Sequence, residues 1–559
     1  MMRIRLLVPF AVLAIQLLGF AADAAPAPAH AAIASAHPLA TQAGLDMLAH
    51  GGNAFDAAVA VSAVLAVVEP ASSGVGGGGF YLLRVAKDGH DVMVDARETA
   101  PAAATRDMYL GPDGKPRQNA STEGPLSAGI PGEPAAWAWL ASKYGHLPLS
   151  QSLAPAIRIA REGFPLYERL ANAIRYKKGS LAKSPDAARA FLVKGEAPAV
   201  GAIIRQPTLA ATLAMIAEKG ADGFYKGPFA ERLAGAMRHD GGIWSAADLA
   251  GYKIIERAPV TLHYRNATLT MAAPPSSGGI VIGEALKILE GYDLDSLDLT
   301  TRHHLMIEAL RRAYRDRAEY LGDPDFVKIP VGQLLSPDYA AGQRTSIRLD
   351  KATPSDQLKP AFTGEESTST THFSVLDREG NRVGATISVN LFFGAAYMAP
   401  GTGMFLNDTM DDFSVAAGSP NAFGLVGADA NSIAPNKRSL SSMTPTFVDT
   451  DRGALIIGSP GGSTIISNLF FDIVNWLGGK SASEIVAAPH IHHQYVPDTV
   501  VFEAGALPPE ERAALEKRGH HLRESTRQWG NTQAITWDFS SGKVEAASDP
   551  RGVGAGLVY

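Results

Sequence analysis

The chain has 559 residues, 46% of them hydrophobic and 19% charged, which is enough to bury a sizeable core and too apolar for a disordered chain. A net charge of −6 without any Lys/Arg cluster excludes a nucleic-acid footprint, because neutralising a phosphate backbone takes clustered cations. Cysteine is absent, so disulfides, thiol catalysis, zinc fingers and iron–sulfur clusters are excluded for this chain alone.

At the N-terminus Arg3 and Arg5 precede an apolar stretch from Leu6 to Phe20 and then the small residues Ala21 to Ala25. This reads as a secretory signal, residues 1–24, cut after Ala24. The stretch contains Pro9, Gln16 and Gly19 and falls short of the roughly 20 residues a spanning helix needs. The later apolar run from Leu455 to Leu477 is broken by Gly458-Ser459-Pro460-Gly461-Gly462, so no membrane span is expected. Export without cysteine fits a periplasmic or secreted protein.

Thr41 to Ala49 reads as a helix, and Gly51-Gly52-Asn53 closes it and opens another. Asn53 is placed to cap a helix running to Val68, with Asp56 favourable in its first turn. Almost no position in that helix is polar, which predicts burial on all sides. Gly74 to Gly79 formally satisfies G-x-G-x-x-G, but a helix precedes it and the strand-like Phe80 to Val85 follows, the reverse of a dinucleotide site. From Ala135 to about Ala250 the pattern is helical. Another helix is expected from Thr301 to Leu321, with Gly322 as its C-cap.

Lys351 to Ser369 then turns polar and loses periodicity, which suggests an exposed, cleavable connector. Immediately afterwards the period becomes two, predicting a hairpin from Thr371 to Asp377 and Arg382 to Asn390. Val383, Ala385, Ile387 and Val389 share one face, and Ser388 and Asn390 share the other. Gly479-Lys480-Ser481 resembles the end of a P-loop, but Val474 stands where its first glycine is required. His490, His492 and His493 have no carboxylate cluster beside them and are read as structural. No metal or cofactor is expected.

Thr370 lies at the junction of connector and strand, in Ser369-Thr370-Thr371-His372-Phe373-Ser374. A threonine hydroxyl needs a nearby base to become a nucleophile, and a chain cut just before it frees an α-amine that supplies one.

Around that residue the sequence resembles the gamma-glutamyltransferase family of the N-terminal nucleophile hydrolase superfamily. The matching segments, in chain order, are Gly51 to Ala58, Gly76 to Phe80, Val94 to Pro101, Thr370 to Ser374, Asn407 to Phe413, Asn436 to Met443, Gly458 to Ser463 and Ser548 to Arg551. The resemblance implies an α+β fold, a four-layer αββα sandwich formed jointly by two chains cut from one precursor between Ser369 and Thr370. The large subunit would be 25–369 and the small, catalytic subunit 370–559, associated as a heterodimer. It further implies transfer of a γ-glutamyl group from glutathione and related compounds, through an acyl-enzyme on Thr370, to water, an amino acid or a dipeptide.

Residue by residue, the resemblance makes Thr370 the nucleophile, supported by Ser388, and Gly461 and Gly462 the oxyanion donors. Arg97, with Ser441 and Ser442, would bind the glutamyl α-carboxylate, and Asp412 and Asn390 the α-ammonium. Thr409 stands where the family has a Gln or Glu completing that ammonium site, and Leu391-Phe392 replace small polar residues. Pro420 to Asp429 resembles a lid loop, with Phe423 where tyrosine is common. The alternative is a cephalosporin or glutaryl-type acylase of the same superfamily, which binds no α-ammonium. Asp412 argues against it, since a buried carboxylate without a cation is costly, and Thr409 argues for it. A non-catalytic scaffold is a further reading, opposed by the joint presence of Thr370, Arg97 and the glycine pair.

Overall fold

The computed structural model describes residues 27–358, 369–416 and 419–559. The signal reading of residues 1–24 and most of the polar connector, 359–368, lie outside the described residues. Among the described residues no helix is long and apolar enough to cross a membrane.

The helix expected after Gly51-Gly52 runs over Ala54–Val68, and side-chain chemistry sets its start. Asn53 Oδ1 accepts from the N–H groups of Phe55 at 2.9 Å and Asp56 at 3.2 Å, and Asp56 Oδ2 accepts from the Asn53 N–H at 3.0 Å, a reciprocal capping box. All 15 of its residues are buried. Together with Pro38–Ala49 it covers one face of a seven-stranded antiparallel sheet.

That sheet runs in the order Ala555–Val558, Ala32–Ser35, Thr371–Leu376, Arg382–Ser388, Gly78–Val85, His90–Ala96, Ile255–Arg257. A second, six-stranded antiparallel sheet runs Val544–Ser548, Gln533–Asp538, Gly453–Gly458, Thr446–Asp449, Ala267–Met271, Val260–Tyr264. Phe80, Leu82 and Leu376 of the first sheet share a core with Leu455, Ile457 and Ile535 of the second, so the two sheets pack face to face. Gly278–Leu289, Leu299–Tyr320 and Thr464–Leu477 belong to that second core and form the fourth layer. The fold is the expected αββα sandwich. Each sheet mixes strands from before and after residue 370, so neither part can bury its faces without the other.

The hairpin falls where alternation put it, with Arg382 opposite Leu376 and Ile387 opposite Thr371. One expectation is corrected. The helix Leu299–Tyr320 starts at Asp298, whose Oδ1 accepts from the Thr301 N–H at 3.0 Å, and it ends on Leu321 in extended backbone rather than on a glycine C-cap. Gly322 serves another purpose, because a Cβ there would meet the carbonyl of Ala430.

Glu133 opens the helix Glu133–Lys143 behind the strand that leads to Arg97. It is buried, accepts from Ser62, Tyr81 and Trp137 on Oε1, and leaves Oε2 without a partner. Burial pushes its carboxyl up from 4.5 to about 7. The folded protein therefore retains a proton that the unfolded chain releases above about 4.5. The cost is absent below that pH and grows until about pH 7. Glu133→Gln cannot titrate, so its stability relative to the parent should improve between pH 4.5 and 7 by up to about 3 kcal/mol. Urea unfolding at pH 5 and pH 8 checks this, and a difference independent of pH would refute it.

Candidate active site

Thr370 is buried at the start of the strand Thr371–Leu376. Its φ is +149°, a region β-branched residues rarely occupy, and such strain costs about 1–3 kcal/mol. Because the hairpin pairs Ile387 with Thr371, the next residue, Ser388, comes beside Thr370, and the two hydroxyls lie 3.1 Å apart. Ser388 Oγ also accepts from the Asn390 N–H at 2.8 Å, and Ser369 Oγ donates to the Asn390 carbonyl. Asn390 holds a φ of +79° and is tied down by its Nδ2, which donates to the Asp408 carbonyl at 3.1 Å.

Gly461 and Gly462 connect the strand Gly453–Gly458 to the helix Thr464–Leu477 with φ of +137° and +58°. Any side chain would be strained there, and a Cβ on Gly462 would clash with the Phe423 ring. Neither glycine N–H donates a hydrogen bond among the described residues. Two free donors beside a helix N-terminus form a ready cradle for a developing oxyanion.

Arg97 follows the strand His90–Ala96 and is almost fully buried. Its guanidinium donates to Asp412 Oδ2, to Ser439 Oγ at 3.0 Å, to the Ser439 carbonyl at 3.3 Å and to Glu98 Oε2 at 3.4 Å. The two residues assigned to opposite ends of a zwitterion thus pair with each other. Burial raises the Asp412 carboxyl while Arg97 pulls it down. Burial likewise pushes Asp411 up to about 6 and Glu98 up to about 7.

Phe423 is buried over this corner, and its loop is tied to the acidic turn: Ala422 N–H donates to Asp411 Oδ2 at 2.9 Å and Asn421 Nδ2 to Asp412 Oδ1 at 3.3 Å. Arg97, Thr370, Ser388, Asn390, Asp412, Phe423, Ser441, Ser442 and Gly462 line one pocket. Gly461 borders the adjoining open cleft instead. Thr409 is not brought into the cavity: its hydroxyl donates to Asn407 Oδ1 at 2.6 Å. His490, His492 and His493 are buried, with His492 against Ser467 at 2.7 Å.

Two residues in contact with the site were not singled out from sequence. Ser439 holds the Arg97 guanidinium, and only its place in the Asn436 to Met443 segment signalled it. Arg317 lines the cavity from the helix Leu299–Tyr320, donating to Ser277 Oγ at 2.9 Å and toward Ser442 Oγ at 3.5 Å. It forms no ion pair among the described residues, and burial pushes it down to about 10. It stands in one helix with Arg311, Arg312 and Arg315, and nothing in the sequence sets it apart from them.

The Thr370 hydroxyl, the free Gly462 amide, two buried arginines and a buried aspartate thus line one pocket. The Gamma-glutamyltranspeptidase family model matches residues 40–559. The chain is 42% identical to the glutathione hydrolase proenzyme of Escherichia coli, over 93% of this chain and 90% of that one. It is 37% identical to the Acylase ACY 1 proenzyme of a Pseudomonas strain, over 90% and 89%. Its fold matches a cephalosporin acylase from Bacillus halodurans with a TM-score of 0.83 at 29% identity, covering 95% of this chain and 96% of that one. With a match that spans nearly its whole described length and a fold of the N-terminal nucleophile hydrolase type, the chain belongs to the gamma-glutamyltranspeptidase family of enzymes.

Proposed function

We propose that the chain is cut between Ser369 and Thr370 into subunits 25–369 and 370–559, and that the product cleaves γ-glutamyl amides such as glutathione. The observation that carries the reading is the Arg97–Asp412 pair in the same pocket as the Thr370 hydroxyl. A glutamyl α-carboxylate takes Arg97 with Ser441 and Ser442, and its α-ammonium takes Asp412 and Asn390. One zwitterion then replaces one ion pair, and neither Arg97 nor Asp412 is left without a partner.

In the self-cleavage, the Thr370 hydroxyl attacks the Ser369 carbonyl and the Ser369–Thr370 C–N bond breaks as its nitrogen takes the hydroxyl proton, which frees the α-amine and relieves the strained φ; water then hydrolyses the ester to the Ser369 carboxylate and the Thr370 hydroxyl. In turnover, that amine takes the Thr370 Oγ proton as Oγ attacks the γ-carbonyl, and the Gly461 and Gly462 N–H groups receive the oxyanion. The C–N bond breaks, the α-ammonium returns the proton to the leaving amine, and a Thr370 ester remains. Water or the amine of an amino acid or dipeptide then takes the acyl group. Residues 1–24 would direct the enzyme to the periplasm or outside the cell.

The acylase reading has support in the named acylase relatives and in Thr409 turning away from the cavity. A glutaryl group, however, would take Arg97 and leave Asp412 buried without a cation. Purified processed enzyme should therefore favour glutathione over a glutaryl amide by at least tenfold in kcat/KM, about 1.4 kcal/mol. Asp412→Asn should bring the ratio close to one. Faster turnover of the glutaryl amide by the parent would transfer the assignment to the acylase reading.

A further inference from the structure

Two arginines line the pocket at Thr370, and they differ in what holds them. Arg97 has Asp412 and Glu98 as ion-pair partners. Arg317, in the last turn of the helix Leu299–Tyr320, is buried and pairs with no carboxylate among the described residues. Asp412 acts on it from beyond ion-pair distance and is itself taken by Arg97. A buried guanidinium is rarely left in that condition, because only an anion offsets the loss of its hydration.

What Arg317 touches instead are hydroxyls, and they carry its direction to the pocket wall. Its Nε donates to Ser277 Oγ at 2.9 Å, and Ser277 in turn donates to the Ser441 carbonyl from both its Oγ and its N–H, each at 2.7 Å. Its Nη2 reaches Ser442 Oγ at 3.5 Å. Ser441 Oγ accepts from the Met443 N–H at 3.1 Å. Each of the two serine hydroxyls therefore faces an N–H with its oxygen, and among the described residues neither donates a hydrogen bond. Two hydroxyls with protons to give, backed by an unpaired guanidinium, suit an anion and offer nothing further to a neutral group.

We infer that Arg317 is a specificity-determining positioning residue: through Ser442 and Ser277 it turns the serine pair into anion donors, and its uncompensated charge makes the pocket discriminate between an acyl group with an α-carboxylate and the same group with a neutral α-amide. The inference rests on the function proposed above. Arg97 exchanges one partner for another when the substrate carboxylate arrives, whereas Arg317 gains a counterion it otherwise lacks, so its contribution falls on the difference between charged and neutral acyl groups.

The test compares kcat and KM of the processed enzyme for γ-glutamyl-p-nitroanilide and for the same anilide with its α-carboxylate converted to a carboxamide. The parent should prefer the acid by on the order of 10² fold in kcat/KM. Arg317→Gln should raise KM for the acid at least about tenfold, with kcat within about twofold, and shrink the acid-over-amide preference by about the same tenfold. Arg317→Lys keeps the charge but not the reach to both serines, and its preference should fall about threefold. Ser442→Ala combined with Arg317→Gln should lose less than the product of the two single losses, since one acts through the other. If Arg317→Gln fails to fold, Arg317→Lys decides. A preference unchanged in the variant that decides, or a loss equal on acid and amide, which a merely structural role would give, overturns the inference. If the parent turns over glutaryl but no γ-glutamyl amides, the acyl-side reading has failed, and glutaryl-p-nitroanilide against its carboxamide still decides the role of Arg317.

Discussion

Thr370→Ala should remain a single chain and lose turnover of every γ-glutamyl amide, by roughly 10⁴-fold or more, the usual cost of removing the nucleophile of a covalent mechanism. The parent should give two bands on a denaturing gel, the smaller beginning Thr-Thr-His-Phe. Both losses follow from one atom, because the Thr370 hydroxyl is proposed to attack first its own preceding carbonyl and then the substrate. The surroundings are arranged for this: the hydroxyl lies 3.1 Å from Ser388 Oγ, and the backbone at Thr370 carries a φ of +149° that cleavage would release. Thr370→Ser keeps the hydroxyl and should still be cut, more slowly. If Thr370→Ala splits at the same bond, the nucleophile is some other group.

Arg97→Ala is expected to leave self-cleavage intact while lowering kcat/KM for glutathione about 10² fold. A charge-assisted hydrogen bond to a carboxylate contributes about 1.5–3 kcal/mol, and the geometry adds a second cost. Without the guanidinium, Asp412 and Glu98 lose their ion pairs among the described residues while staying buried, the situation in which breaking a buried pair costs about 3–5 kcal/mol. Their carboxyls would move further up and take protons, so the variant would bind the substrate ammonium poorly as well. Arg97→Lys retains the charge without the two-pronged geometry and should fall between the two. The loss should appear mainly in KM, since the glycine donors and Thr370 are untouched. An unchanged kcat/KM for Arg97→Ala would remove Arg97 from substrate recognition.

Elements governed by their own residues were legible along the chain. The cap at Asn53 depends on a side chain reaching the N–H groups two and three residues on, and the helix it starts is buried because its residues are apolar nearly all round. The hairpin after Thr370 depends on alternation, which the pairing of Val383 with Val375 reproduces. The end of the helix Leu299–Tyr320 was misread for an instructive reason: Gly322 looks like a C-cap locally, yet the demand on it comes from Ala430, more than 100 residues away in sequence.

The same division runs through the site. The identity of its chemical groups, a threonine at a loss of periodicity, a glycine pair before a helix, an arginine and an acidic turn, was determined by the sequence, through short motifs whose meaning is local and through their order along the chain. Which of those groups touch was decided by the tertiary structure alone. Arg97 and Asp412, 315 positions apart, pair because the end of one strand and a turn of the later segment close over the same cavity, and burial there makes two unpaired charges more costly than one ion pair. Arg317 enters the cavity, and Thr409 bonds to Asn407 instead, for the same reason: helix rotation and turn geometry set which side chain faces the buried space, and a run of arginines or a single threonine carries no record of that direction.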